Sequence, residues 1–332
     1  MKKFILFFVS LLMPYFVNPH HSEAAFDMDQ IVSFPATIKE YRWRNPHVYI
    51  VVETEVNGIL TEWQIETGAT PIMSRSGWNE SILIPGESIF VRVHPERSNR
   101  RNYAMLVALQ KENGLVLSQN PSSLIEQQPR ESIFGTWRAT QESIDRFFQS
   151  LASMNLTQAG QDALKVFDWQ TQSPAAGCIA YTIPRSYIAS NLFLTRIVDE
   201  GDFVSIESEY FDVRRTIPLI NVLNTFSNDD FLHQGVSTGT FSDNELIVRT
   251  DSFLPNIIGN GNGIPSSNEK VTLERYYLSD NRSRLRLDFS LEDPAYIETA
   301  FAGYLEFEPV ADENFYAYQC DIQTSSEFMT YE

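Results

Sequence analysis

The chain reads as an all-β, mainly antiparallel protein: an OB-like five-stranded barrel followed by a larger antiparallel barrel or sandwich with one helical insertion. Three observations point there. Alternating β-branched and aromatic runs, punctuated by turn dipeptides, recur along most of the 332 residues. The order strand-strand-strand-helix-strand-strand over the first part is that of the OB barrel. Within the second half only residues 141–167 carry a convincing helical pattern.

Residues 31–44 form the first strand, marked by Ile31, Phe34, Ala36, Ile38, Tyr41 and Trp43, with one bulge-like slip. It ends at Asn45-Pro46-His47, a turn signal because proline fixes φ and biases the residue before it away from helix. Val48 to Val56 is the second strand. Asn57-Gly58 reads as a two-residue hairpin turn, since both residues tolerate positive φ. Ile59 to Thr67, with Trp63, is the third strand, and Thr70-Pro71-Ile72-Met73-Ser74-Arg75 is a short helix with proline in its first turn. Ser88 to Val93 and Tyr103 to Gln110 complete the barrel.

From Gly114 to Arg130 the chain turns polar and proline-punctuated. The division is therefore a domain over 25–117, a linker over 118–131 and a second domain over 132–332. Thr157 is an N-cap candidate within the helical insertion. After Cys178 come evenly spaced strands: Phe203–Tyr210, Val213–Leu219, Gly239–Phe241, Glu245–Thr250, Val271–Leu278, Arg284–Leu291 and Ala302–Glu308. Gly259-Asn260-Gly261-Asn262-Gly263 reads as a loop, without the following helix that a phosphate site needs.

The net charge of −18 speaks against nucleic acid or an anionic membrane as a partner of the whole surface. Lys2-Lys3 followed by an apolar run from Phe4 to Met13 reads as a signal peptide over 1–24. The expectation is an exported protein, periplasmic or secreted, with no membrane span after signal removal. Ser22-Glu23-Ala24 offers the best cleavage site, whereas a cut before His20 leaves Pro19 at the −1 position. In an oxidising compartment Cys178 and Cys320 pair most economically as one disulfide, worth roughly 4–5 kcal/mol in the chain-entropy model.

Several motifs resemble known families. His20-His21-Ser22, Trp43-Arg44-Asn45-Pro46-His47, Gly77-Trp78 and Ile84-Pro85-Gly86-Glu87 are similar, over residues 20–117, to small exported bacterial proteins of unknown function. Relatives of that kind carry an Ala-x-Ala site just before the histidine pair, which is absent here. Gly135-Thr136-Trp137, Arg214-Arg215-Thr216-Ile217, Glu274-Arg275-Tyr276 and Tyr318-Gln319-Cys320 resemble a second uncharacterised exported domain. The resemblances imply export and two domains and bring no activity.

Three site classes follow. Arg92, His94, Arg97, Arg100 and Arg101 are the one basic cluster, in the loop many OB folds use for ligands, with Trp43, Tyr49 and Trp63 as stacking faces. His20, His21 and His47 suit copper or zinc. Gly235-Val236-Ser237-Thr238-Gly239, with His233 upstream, matches the G-x-S-x-G of serine hydrolases, although a hairpin and not a helix follows. The reading preferred is a non-enzymatic binding protein for a small molecule or glycan through Trp43, His47, Trp63, Arg92, Arg97 and His233. It needs no cofactor; a copper or zinc protein and, behind it, a serine hydrolase are the alternatives. Terminal sequencing of the exported protein should give Ala25 as its first residue; a start at or before His20 would keep both histidines for a metal.

Overall fold

The computed structural model describes residues 25–56, 58–98, 100–119, 129–219, 232–261 and 263–330. Strand β1 (Val32–Arg42) does double duty. Its first half, Val32 to Thr37, pairs with β4 (Ser88–Pro95), and its second half, Thr37 to Arg42, pairs with β2 (Tyr49–Val56). The expected slip falls between Ile38 and Glu40, and such a bulge bends a strand enough to serve two neighbours. β3 (Ile59–Glu66) returns along β2, and β5 (Tyr103–Lys111) lies antiparallel to β4. β5 also runs parallel to β3 at Gln64–Tyr103, Ile65–Ala104 and Glu66–Met105, which closes the five-stranded barrel. Helix α1 (Thr70–Arg75) sits between β3 and β4, as in the OB order. Ile38, Ile50, Val52, Ile65, Val91 and Val93 fill the interior.

One expectation needs correction. Val116–Ser118 is a short strand, β6, paired with β5, so residue 118 belongs to the first sheet. Leu117 is buried, and the Trp78 indole donates to the Ser118 carbonyl at 2.9 Å. Leu117, buried in the first core, holds this segment to the sheet despite its polar surroundings.

Among the described residues the second sheet contains nine strands. They are β7 (Gly135–Ala139), β8 (Thr195–Asp199), β9 (Phe203–Ser208), β10 (Val213–Pro218), β11 (Val236–Ser242), β12 (Glu245–Asp251), β15 (Val271–Leu278), β16 (Leu285–Glu292) and β17 (Phe301–Val310). Between β12 and β15, β13 (Asn256–Gly261) and β14 (Ile264–Ser266) form a separate hairpin. The glycine-rich run read as a loop thus lies largely in paired backbone. The order β10-β9-β8-β7-β17-β16-β15-β12-β11 is antiparallel throughout, and a single parallel bridge, Leu219 to Gly239, brings its two edges together. A Cβ on Gly239 would lie 2.7 Å from Ile217 Cγ2, so only glycine lets the edges meet this closely.

The helical insertion resolves into α2 (Gln141–Leu151) and α3 (Gln158–Val166), followed by one turn, α4 (Trp169–Gln172). Thr140 and Thr157 cap the two longer helices by accepting from Ser143 N and Gly160 N, each at 3.2 Å. After β17 the tail ends in α5 (Ile322–Thr330). The Cys178–Cys320 disulfide holds that tail, with Cα atoms 5.8 Å apart, a separation usual for such bonds.

The two barrels meet through polar groups taken out of water. Arg75, at the end of α1, donates from Nη1 to both carboxylate oxygens of Glu209 at 2.8 Å, and from Nη2 to the Leu192 carbonyl at 2.5 Å. Glu209 also accepts from Leu194 N and Tyr316 N, at 2.8 and 2.7 Å. The Asn45 side chain receives the Thr70 amide at 2.8 Å and donates to Thr70 Oγ1 and to the Tyr318 carbonyl. Its backbone forms a bridge to Cys320. The Asn-Pro-His turn is therefore part of the contact between barrels. Removing one member of a buried ion pair leaves the other uncompensated, at about 3–5 kcal/mol. Arg75→Met should lower stability by about that amount; adding Glu209→Gln, which removes the charge and keeps an acceptor for the Leu194 and Tyr316 amides, should recover part of it, whereas Glu209→Leu should not, as read from urea midpoints.

Candidate ligand cavity in the second barrel

Strand parity puts charge inside the second barrel. Along β10, Arg215 and Ile217 are buried while Arg214 is exposed; along β15, Thr272, Glu274 and Tyr276 are buried while Leu273 and Arg275 are exposed. Arg215 and Glu274 meet there as a forked pair, Nη1 to Oε1 at 2.9 Å and Nη2 to Oε2 at 2.5 Å. The Tyr276 hydroxyl donates to Glu274 Oε1 at 2.6 Å, and the Tyr187 hydroxyl also donates to it. Arg215 Nη2 reaches Thr250 Oγ1 at 3.1 Å and Ser237 Oγ at 3.3 Å. Burial works against the charge on Glu274, yet Arg215 and the two tyrosines outweigh it and hold the carboxyl below its ordinary range. Burial raises both tyrosines well above theirs, so they stay neutral donors. One donor remains: buried Arg215 Nε has no hydrogen-bond partner.

Arg215, Tyr187 and Tyr276 line a cavity with about 50 Å³ of room for water centres. Ile206, Val213, Leu287 and Phe307 make its apolar walls, and Tyr181 and Tyr210 flank it. That room takes about three or four waters, or a guest of a few heavy atoms; a benzene-sized ring takes a cavity of about 150 Å³. Tyr210 is held by stacking on Phe193, with ring centroids 4.7 Å apart, and meets Tyr318 edge-on at 5.8 Å.

The residues singled out from the sequence are dispersed. In the first barrel, Trp63 packs on Phe34 at 5.2 Å and Trp43 on Tyr41 at 6.1 Å, so the two indoles make ring contacts with different partners. Arg92 is exposed on β4, and Arg97 lies 3.9 Å from Asp27. Arg101 is paired with Glu96 at 2.7 Å and stacks over Tyr103 at 4.2 Å. His233 Nε2 bonds the Ala180 carbonyl at 2.7 Å. Ser237 lies within β11, hydrogen-bonded to Thr250 at 2.9 Å, and the strand–hairpin around it lacks the helix of a nucleophile elbow.

His47 keeps more company. Its Nδ1 lies 2.9 Å from the Thr67 carbonyl and 3.2 Å from Glu66 Oε1, and its ring is 6.4 Å from Tyr49. Tyr103 donates its hydroxyl to Glu66, and burial pushes that phenol up. Among the described residues no three His, Cys, Asp or Glu side chains gather as for a metal; His20 and His21 lie outside them. Glu66, Arg215, Tyr187 and Tyr276 were not singled out as site residues. Strand parity was the signal that could have found Arg215 and Glu274, because each sits in phase with apolar inward neighbours.

A family of unknown function, DUF6152, matches residues 11–104. The likeness covers the first barrel as far as the start of β5 and brings no activity. No curated protein matches the chain. No described helix is long and apolar enough to cross a membrane.

A further buried charge lies beside the β13–β14 hairpin. Lys270 is wholly buried and donates to the Gly259 carbonyl at 2.7 Å and to Thr182 Oγ1 at 3.1 Å, with its Nζ 4.4 Å from the Phe253 ring centroid. Burial pushes its pKa down to about 7, opposed by Asp293. Its folded value lies below the ordinary 10.5, so unfolding takes up a proton between the two. The group's penalty is thus full below about pH 7 and fades as pH rises to about 10.5. In urea titrations across this range, Lys270→Met should gain on the wild type most at the acid end, and the gap should narrow toward pH 10.5.

Proposed function

We propose that this is an exported binding protein whose second barrel takes a small, mostly apolar molecule of a few heavy atoms with one hydrogen-bond acceptor. The observation that carries this is the uncommitted N–H of Arg215, a residue on a cavity lined mainly by aromatic and aliphatic side chains, with Ser186, Ser190, Thr195 and Gln234 among its polar members. Because Glu274 neutralises Arg215, the site favours an uncharged guest. A hydrogen bond from a charged donor contributes about 1.5–3 kcal/mol. Acetone should therefore bind at least about tenfold more tightly than isobutane, measured by NMR titration. Ile206→Phe, which fills the cavity, should abolish the difference. Equal affinity for isobutane, or no saturable binding, would sink the proposal.

One observation favours a second reading, a copper or zinc protein. The imidazole of His47 lies against Glu66, an arrangement that orients metal-ligating histidines. His20 and His21 would complete the set if the mature chain retains them. Metal analysis of protein from its native compartment decides it: metal lost on His47→Ala supports this reading, and metal-free protein refutes it.

A further inference from the structure

Three arginines are buried among the described residues: Arg75, Arg185 and Arg215. Arg75 is matched by Glu209 and Arg215 by Glu274. Arg185, on the 3-10 turn Arg185–Ala189, has no such match. It is 5% exposed, and its Nε and Nη1 have no hydrogen-bond partner. The titratable groups acting on it are the hydroxyls of Tyr181 and Tyr210, with no carboxylate among them. Its guanidinium carbon lies 4.4 Å from the Tyr181 ring centroid and 5.6 Å from that of Trp169. Ring faces attract a cation, but they accept none of its N–H groups, so they offset only part of the cost of burying the charge.

We propose that Arg185 is the anchor of a second site, one for a carboxylate supplied from solution. A guanidinium fork matches a carboxylate in shape and charge. Trp169, on the single turn α4, is the partly exposed wall of the shell, and the anion approaches along it. Tyr181 and Tyr210 stand between this site and the neutral-guest cavity, which they also line. The inference does not depend on that cavity being occupied.

The test uses the full chain in thermal shift and calorimetry, titrated with sodium formate and acetate at constant ionic strength in chloride, with phosphate in parallel. The wild type should show a saturable rise in melting temperature with either carboxylate. Arg185→Met should weaken the apparent affinity at least about tenfold, and without carboxylate it should melt no lower than the wild type, because it removes an uncompensated charge. Arg185→Lys, which keeps the charge and loses the fork, should fold and bind more weakly than the wild type. The proposal is overturned by a wild type that does not respond, by equal responses in wild type and Arg185→Met, or by a response to phosphate alone. Lower melting of Arg185→Met with an unchanged acetate response would make the arginine purely structural and overturn it too.

Discussion

The carboxylate of Glu209 is the point from which the rest of the molecule hangs. It gathers the guanidinium of Arg75 from the first barrel, the amide of Leu194 just before β8, and the amide of Tyr316 in the C-terminal tail. Burial pushes this carboxyl up, and those donors oppose the shift. The three residues after it extend the same hub. Tyr210 walls the cavity, Phe211 turns the chain with a positive φ of 61°, and Asp212 accepts the amides of Tyr318 and Gln319. A single short segment thus fixes the approach of the two barrels, the course of the tail and one side of the site.

Much of the fold was legible because the first barrel is built from local signals. β2 and β3 pair on either side of the Asn57-Gly58 signal, proline opens α1, and the slip in β1 shows as a break in alternation. What escaped were two short local hairpins. Val116–Ser118 folds back on β5 with Val116 opposite Gln110, and β13 folds back on β14 with Gly261 opposite Ile264; their polar, glycine-rich surroundings carry the composition of a linker or loop, which hid the pairing. The disulfide was legible by counting, since two cysteines in one half leave one pairing.

The candidate site was less legible because attention went to residues that are rare or chemically familiar. Histidines and tryptophans of the first barrel were prominent, yet their partners disperse them over its surface. The G-x-S-x-G match dissolves into packing. A Cβ on Gly235 would fall 2.7 Å from Thr250 Cγ2, Gly239 admits Ile217, and Ser237 supports Arg215. Arg215 and Glu274 stood within motifs of family resemblance and were given no role at a site. A charged residue in phase with inward apolar neighbours is costly unless matched, and that cost marks a site more reliably than a motif does.

The seam between β10 and β11 has a consequence for connectivity. Strands that alternate in direction around a ring can do so throughout only if their number is even. Among the described residues this ring has nine, so one neighbouring pair must point the same way, and it is the pair bridged by Leu219 and Gly239. Consecutive strands that run parallel cannot be joined by a tight turn; such a connection takes a dozen residues or more. β10 ends at Pro218 and β11 begins at Val236, a separation in sequence that meets this demand.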